Sequence, residues 1–347
     1  MKLSMRNWVS IATVVLIVLL LFLTRHELVR AWELLGKVNL WILLLFIPLV
    51  VASYLVSGEM IFSFLRQKHL IKHLSIWQQM RMSLEMNFVN HALPSGGVSG
   101  LSYMTWRMKN IGVTTSKAAT AQMVRLATGL LSFVTLLLIA VVAITIDGGV
   151  NRWIILISST LAASMIGVIV AGVYFLKDKK RVHTAAKWVT ETANKLVGFV
   201  SRKKRKKVLD RVRVEGFFGE LHEDYNDITK DKRLLLKPYL WGIAFSCLDV
   251  AMYVVAFWAL GSVVNPAAIL IAYGIATVAG FLVVTPGGSG AYEALMVAFL
   301  VFSGINQGVA IAGVLLTRVL ILVVILVLGY AFYQHALVKY GKPRTDT

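Results

Sequence analysis

Apolar runs recur along the chain at residues 8–24, 38–64, 118–146, 153–176, 236–262 and 307–333, each long enough to cross a bilayer as an α-helix. Two further segments, 76–106 and 267–303, are broken by proline and glycine. The first break reads Leu93-Pro94-Ser95-Gly96-Gly97-Val98-Ser99-Gly100, and the second reads Thr285-Pro286-Gly287-Gly288-Ser289-Gly290-Ala291-Tyr292-Glu293. A helix does not run through Pro followed by several Gly, because the ring removes an N–H and glycine favours open backbone. In lipid, the freed backbone groups are tolerated only where protein or a wet cavity satisfies them. Two breaks in matching positions therefore predict interrupted helices that meet at a polar site inside the membrane. For either break taken alone, a turn at the water interface is the alternative.

Basic residues set the sides. Lys2 and Arg6 place the N-terminus in the cytoplasm, and Arg66, Lys68 and Lys72 bring the second run back inside. Arg107, Lys109 and Lys117 put the end of the first broken segment inside too, so it enters and leaves on one face. The next two crossings bracket a short outer loop, Asp147–Arg152, and return to a long basic stretch from Lys177 to Lys237. The fifth crossing ends outside near Gly261, whereas Lys339, Lys342 and Arg344 hold the C-terminus inside. The second broken segment must then enter and leave from the outer face. The first run ends in Thr24-Arg25-His26-Glu27 with no small-x-small site, which predicts an uncleaved helix rather than a signal peptide.

The expected fold is an all-α polytopic membrane protein with six full crossings and two broken re-entrant hairpins. Residues 1–347 form one membrane domain, in which 1–146 and 153–337 repeat the order helix, helix, hairpin, helix in inverted orientation. Arg125 follows Pro94 at nearly the spacing by which Arg318 follows Pro286, and Glu59 and Asp249 precede the two prolines at similar distances. These offsets predict an inverted 4+4 repeat about an axis in the membrane plane. Residues 177–235 form a basic cytoplasmic insert. In it Trp188, Thr192, Leu196 and Phe199 share one helical side and Lys187, Glu191 and Lys195 another. Residues 25–37, with Leu28, Trp32 and Leu35 in register, predict a shorter interfacial helix outside.

Composition agrees with a membrane solvent. The chain is 58% hydrophobic and 15% charged, against about 25% charged in a soluble domain. Its net charge of +19 points to anionic headgroups, with Arg202–Lys207 lying on the inner leaflet. That run has no interleaved aromatics, so no nucleic-acid partner is expected. A single cysteine, Cys247 in an apolar segment, rules out disulfides and thiolate metal sites. The plasma membrane is the expected location, and a homo-oligomer is left open.

Charges inside apolar runs are costly and mark function. Here they are Glu59, Glu85, Arg125, Asp249, Glu293 and Arg318, with Arg81 near the membrane edge. Arginine grips phosphate with a fork of donors, and backbone N–H groups at a glycine-rich tip add more. Two arginines near two such tips form a candidate phosphate cradle. The carboxylates Glu59, Glu85 and Asp249 then act as charge partners to these arginines, bind a cationic headgroup or carry protons. Alternatively they form buried ion pairs that hold helices together. The histidines lie mostly in loops; His91, beside Asn87 and Asn90, reads as a capping or packing residue. The chain contains no HExxH, P-loop or dinucleotide fingerprint, so no catalytic set, metal or cofactor is expected.

The second break, with Glu293 three residues after Gly290, resembles the signature of the flippase-like transmembrane family. That family is named for the membrane region of lysylphosphatidylglycerol synthase, the multiple peptide resistance protein. The resemblance covers nearly the whole chain. It implies movement of a lipid headgroup between leaflets, the lipid being anionic, aminoacylated like lysylphosphatidylglycerol, or glycosylated. It assigns headgroup binding to Pro286, Gly287, Gly288, Gly290, Glu293 and Arg318, and on looser motifs to Pro94, Gly96, Gly97 and Arg125. The synthase itself carries a soluble aminoacyltransferase domain after this region, and the sequence here stops at Thr347. A lysyltransferase label would then describe the family name. Two alternatives remain: the membrane component of a phosphatidylglycerol lysyltransferase that confers resistance to cationic peptides with a separate catalytic domain, and an envelope scaffold protein.

Overall fold

The computed structural model describes residues 36, 38–71, 74–93, 98–146, 152–200, 211–282 and 290–341. The first apolar run, the outer interfacial segment, Pro94–Gly97 and the polybasic 202–207 stretch lie outside the described residues. So do 283–289, which carry Pro286, Gly287 and Gly288. Among the described residues there is no strand.

Asn39 caps α1 (Leu40–Leu43), accepting from the Trp41 and Ile42 N–H groups, and α2 (Phe46–Gln67) continues the same apolar stretch. Ser75 and Gln78 cap each other to start α3 (Ile76–Ala92). That helix stops at Leu93, whose extended backbone is what a following Pro94 demands. The chain then folds back as α4 (Val98–Lys109). Three long helices follow, α5 (Thr115–Ile146), α6 (Arg152–Lys177) and the amphipathic α7 (Lys179–Val200), and then α8 (Arg211–Lys230). A short 3-10 turn, Lys232–Leu235, leads into α9 (Leu236–Ala259). Pro266 occupies the first position of α10 (Pro266–Leu282), where its missing N–H costs nothing. Gly290 starts α11 (Ala291–Phe302), and Asn306 caps α12 (Gln307–Val324). This last helix runs through a single π turn, Ile325–Gly329, into α13 (Tyr330–Tyr340).

Among the described residues, five stretches are long and apolar enough to span a bilayer: Leu40–Gln67, Thr115–Ile146, Arg152–Lys177, Lys232–Ala259 and Gln307–Tyr340. By contrast, α3 and α10 have 17 residues each and α4 and α11 have 12. At about 1.5 Å per residue the longer pair reach only about 25 Å, short of a hydrocarbon core of about 30 Å. Each short pair packs on itself, α3 on α4 and α10 on α11.

The centre of the molecule is the contact of α2 with α9, against which α5 packs. On either side of it Ile61, Phe62, Phe64 and Leu65 of α2 pack in one core cluster with α3, α4 and α5, and Phe257 of α9 in another, all almost wholly buried. Small residues let helices approach closely where lipid supplies no hydrophobic drive between them. A Cβ on Gly329 would lie 2.8 Å from Phe88, so α3 seats directly on the π turn of the last span. A Cβ on Gly274 would come within 2.6 Å of the Phe133 ring, which brings α10 equally close to α5. The periphery shows the reverse pattern. α6 buries only the stripe Ile154, Ser158, Leu161, Ala162 and Met165, and exposes Ile155, Leu156, Ile166 and Val170. In a bilayer that face meets acyl chains.

The central insert forms two helices, with Trp188 exposed on α7. α8 is docked on the ends of α2 and α5. Its buried Asp224 accepts from Thr120 Oγ1 (2.7 Å) and pairs with Lys117, with Lys68 Nζ at 3.7 Å. Glu220 accepts from Ser116, and Lys68 Nζ donates to Asp227 at 2.7 Å. His222 Nδ1 meets the Leu176 carbonyl at 2.7 Å, which ties α8 to α6.

Candidate functional site

α11 begins at Gly290, whose φ of +91° and ψ of −62° suit no L side chain. This turn aims the Gly290 N–H at Glu293 Oε2, 2.7 Å away. The other carboxylate oxygen, Oε1, accepts from Arg318 Nε at 2.7 Å. A carboxylate in the first turn also suits the helix dipole. The Arg318 guanidinium lies over the Tyr292 ring, 4.3 Å from its centre, and Tyr292 and Tyr253 share a hydrogen bond of 3.1 Å between hydroxyls. Glu293 and Tyr292 are buried. Two consecutive helices, α11 and α12, are thus held by one charge-assisted bond.

Arg125 on α5 stands in a different setting. Its Nη2 lies 3.4 Å from Ser57 Oγ and its Nη1 lies 3.9 Å from Met86 Sδ. No carboxylate lies within 4.0 Å of it among the described residues. Asp249 on α9 is the nearest charge of opposite sign to act on it through space. That carboxylate is buried and accepts from Ser53 Oγ at 3.1 Å and from Tyr273 Oη at 2.6 Å. Ser53 and Ser57 lie one turn apart on α2, so a single face of this helix touches both the acid and the base.

The two settings are joined by aromatic rings. Tyr273 packs at 6.4 Å from both Tyr253 and Tyr292. His91, in the last turn of α3, lies within electrostatic reach of Arg318 and Glu293 and puts its Nδ1 2.9 Å from the Asn87 carbonyl. Asn90 Oδ1 accepts from Gly100 N–H at 2.8 Å, closing the start of α4 over the end of α3. Parts of both short helix pairs thus approach one polar centre. Arg125 and Arg318 are each about 15 Å along their helices from the N-terminal end.

Of the residues expected from the sequence, Gly290, Glu293 and Arg318 come together, and Arg125 joins Asp249. Glu59 is held instead by Arg66, whose Nη1 also donates to Gln79 Oε1 at 3.2 Å. Glu85 Oε2 is taken by Arg107 Nε (2.7 Å) and the Tyr103 hydroxyl (3.0 Å), with Arg107 stacked 4.6 Å over Tyr340. Glu85 follows the alternative of a buried ion pair that holds helices together, whereas Glu59 and Arg66 lie on one helix with Arg66 exposed. Arg81 lies 5.1 Å over the Phe332 ring. Sequence reasoning missed Ser53, Ser57, Tyr253 and Tyr273. The serines carried a legible sign, two hydroxyls one helical turn apart in an apolar run, whereas the tyrosines carried none.

The family described as the lysylphosphatidylglycerol synthase TM region matches residues 7–329. A UPF0104 membrane protein of Methanothermobacter thermautotrophicus is 24% identical over 204 residues. The match covers 57% of this chain and 57% of that protein, so the chain spans little more than half of its curated relative. No solved structure matches. With a family match that runs across nearly all of the apolar helices described above, the chain is a multi-pass membrane protein of the family of lysylphosphatidylglycerol synthase transmembrane regions.

Proposed function

We propose that this protein moves a lipid with an anionic headgroup phosphate from one leaflet to the other, with no covalent step. The observation that carries it is Arg125, a guanidinium within a spanning helix whose described partners are a hydroxyl and a thioether. An unbalanced cation at that depth is costly, and a phosphate monoanion would supply the missing charge with bidentate geometry. Arg318, balanced by Glu293, shapes the opposite wall. Asp249 and the tyrosine hydroxyls suit the sugar, glycerol or aminoacyl part of the headgroup. A lysylphosphatidylglycerol-like or glycosylated lipid fits this pairing of cation and acid.

An inverted repeat supports alternating exposure of the centre. The span, two short helices and next span of the first half have 28, 17, 12 and 32 residues; those of the second have 28, 17, 12 and 34. The first helix of each short pair packs on the closing span of the other half, α3 on the last span and α10 on α5. In this arrangement the halves rock about the α2–α9 contact in the plasma membrane, with both termini cytoplasmic. Reconstitution into liposomes with fluorescent phosphatidylglycerol tests it: leaflet exchange should exceed that of empty vesicles. Equal rates would contradict the proposal.

A further inference from the structure

Four carboxylates lie within the described spanning and hairpin helices, and three share a feature that the fourth lacks. Glu59 is met by Arg66, Glu85 by Arg107 and Glu293 by Arg318. Each of these three acids therefore accepts from a guanidinium, which is permanently charged and only donates. Glu293 is fixed further by the Gly290 N–H, a donor that cannot turn away. Asp249 is met only by hydroxyls, Ser53 Oγ on Oδ1 and Tyr273 Oη on Oδ2. A hydroxyl is both donor and acceptor, and its hydrogen rotates to suit. If a proton sits on Oδ1, Ser53 Oγ becomes the acceptor and no heavy atom need shift. The pocket accommodates both protonation states of Asp249.

Among the described residues, the elements around this acid are as follows. α2 brings Ser53, Ser57 and the Tyr54 phenol; α5 brings Arg125; α10 brings Tyr273; and α9 itself brings Tyr253. From α12, Arg318 faces Glu293 and Tyr292. α1 holds only Leu40, Trp41, Ile42 and Leu43. In the 3-10 turn, Arg233 is roughly 24 Å along the axis from Asp249. Among these elements, Arg125 is the cation that acts on Asp249 through space, since Arg318 is held by Glu293.

We infer that Asp249 is the coupling group of this protein: it takes a proton when a lipid phosphate occupies Arg125, and it carries that proton across with the lipid. The inference rests on the translocase proposal above. Two anions beside one guanidinium cannot both keep its full stabilisation, and a like charge drives one acid to its neutral form. The phosphate diester is the stronger acid and stays ionised, so the proton goes to Asp249. The step forms one O–H bond on the aspartate with a proton drawn from water on the loading side; release on the far side restores the carboxylate. Lipid anion and proton cross as a neutral pair.

Two measurements on the full chain test this. In phosphatidylcholine nanodiscs, added phosphatidylglycerol should raise the infrared carbonyl band of a protonated carboxylic acid, and Asp249→Asn should abolish it. In liposomes with a pH step across the membrane, fluorescent phosphatidylglycerol should accumulate in the leaflet on the alkaline side, by up to about tenfold per pH unit. Asp249→Asn, at whatever rate it exchanges lipid, should reach the same distribution with and without the step. Asp249→Glu, which keeps a carboxylic acid, should retain a response to the step and move the infrared band, and serves if the Asn variant does not fold; a band that does not move overturns the assignment to Asp249. Leaflet exchange with no infrared band, or with no response to the pH step, overturns the coupling role and leaves the translocase standing. An infrared band with no leaflet exchange overturns translocation and leaves proton uptake on phosphate binding. Neither signal overturns both.

Discussion

Arg318 and Arg125 sit at similar distances along two long helices, and the protein surrounds them differently. Around Arg318 the charge is closed: Glu293 takes Nε, Tyr292 covers the guanidinium face, and a backbone N–H fixes the carboxylate. Around Arg125 it is open: a hydroxyl at 3.4 Å and a sulfur at 3.9 Å touch it, and Asp249 is occupied by other donors. One arginine is tied into the architecture by a carboxylate, and the other is the one to which the proposal assigns the lipid phosphate. Similar sequence settings therefore do not make similar roles; the difference lies in whether a carboxylate reaches the cation.

The comparison breaks most visibly at the closed end. Glu293→Gln leaves a buried guanidinium without its counter-charge and frees Gly290, so it should cost about 3–5 kcal/mol. Thermal unfolding of the purified protein should show a large fall in midpoint. Arg125→Ala should do the opposite, unfolding close to wild type while lipid exchange in liposomes falls about ten- to a hundredfold, the weight of one or two charge-assisted bonds. Arg125→Lys should recover only part of that loss, because an ammonium offers no fork. Gly290→Ala must place a side chain at φ +91° and should cost about 1–3 kcal/mol, again read as a lower unfolding midpoint.

The smallest effect belongs outside the bilayer. Lys68 holds the exposed Asp227 carboxyl below its ordinary range, by hydrogen bond and by charge. A depressed acid stabilises the fold above its unfolded value of about 4, and that contribution is lost as pH falls through the lower folded value. For a surface pair it amounts to under about 1 kcal/mol and shrinks in salt. Lys68→Met should therefore shift the unfolding midpoint slightly at pH 7, and not at all under acid where Asp227 is protonated.

Much of this was legible in the chain because the bilayer allows few solutions. Apolar length marked each described span, Pro94 stopped α3 at Leu93, and Glu293 beside a glycine run pointed to Arg318. Pairings across helices were less accessible. Glu59 and Arg66 lie two turns apart on one helix, a spacing that could have joined them, whereas Glu85 meets Arg107 only because the α3–α4 pair folds back. Asp249 reads in sequence as one more intramembrane acid. Its hydroxyl partners come from α2 and α10, which tertiary packing alone brings to it. The docking of α8 was hidden for a like reason: a basic insert suggests lipid contact, but Asp224, its anchor, faces Lys117 and Lys68.

The open arginine is the claim on which the rest depends, and solid-state NMR addresses it directly. With guanidinium nitrogens labelled and phosphatidylglycerol added, phosphorus–nitrogen dipolar coupling should appear in the wild type and vanish in Arg125→Lys. Coupling that persists in that variant, or none in the wild type, would contradict a phosphate held at Arg125.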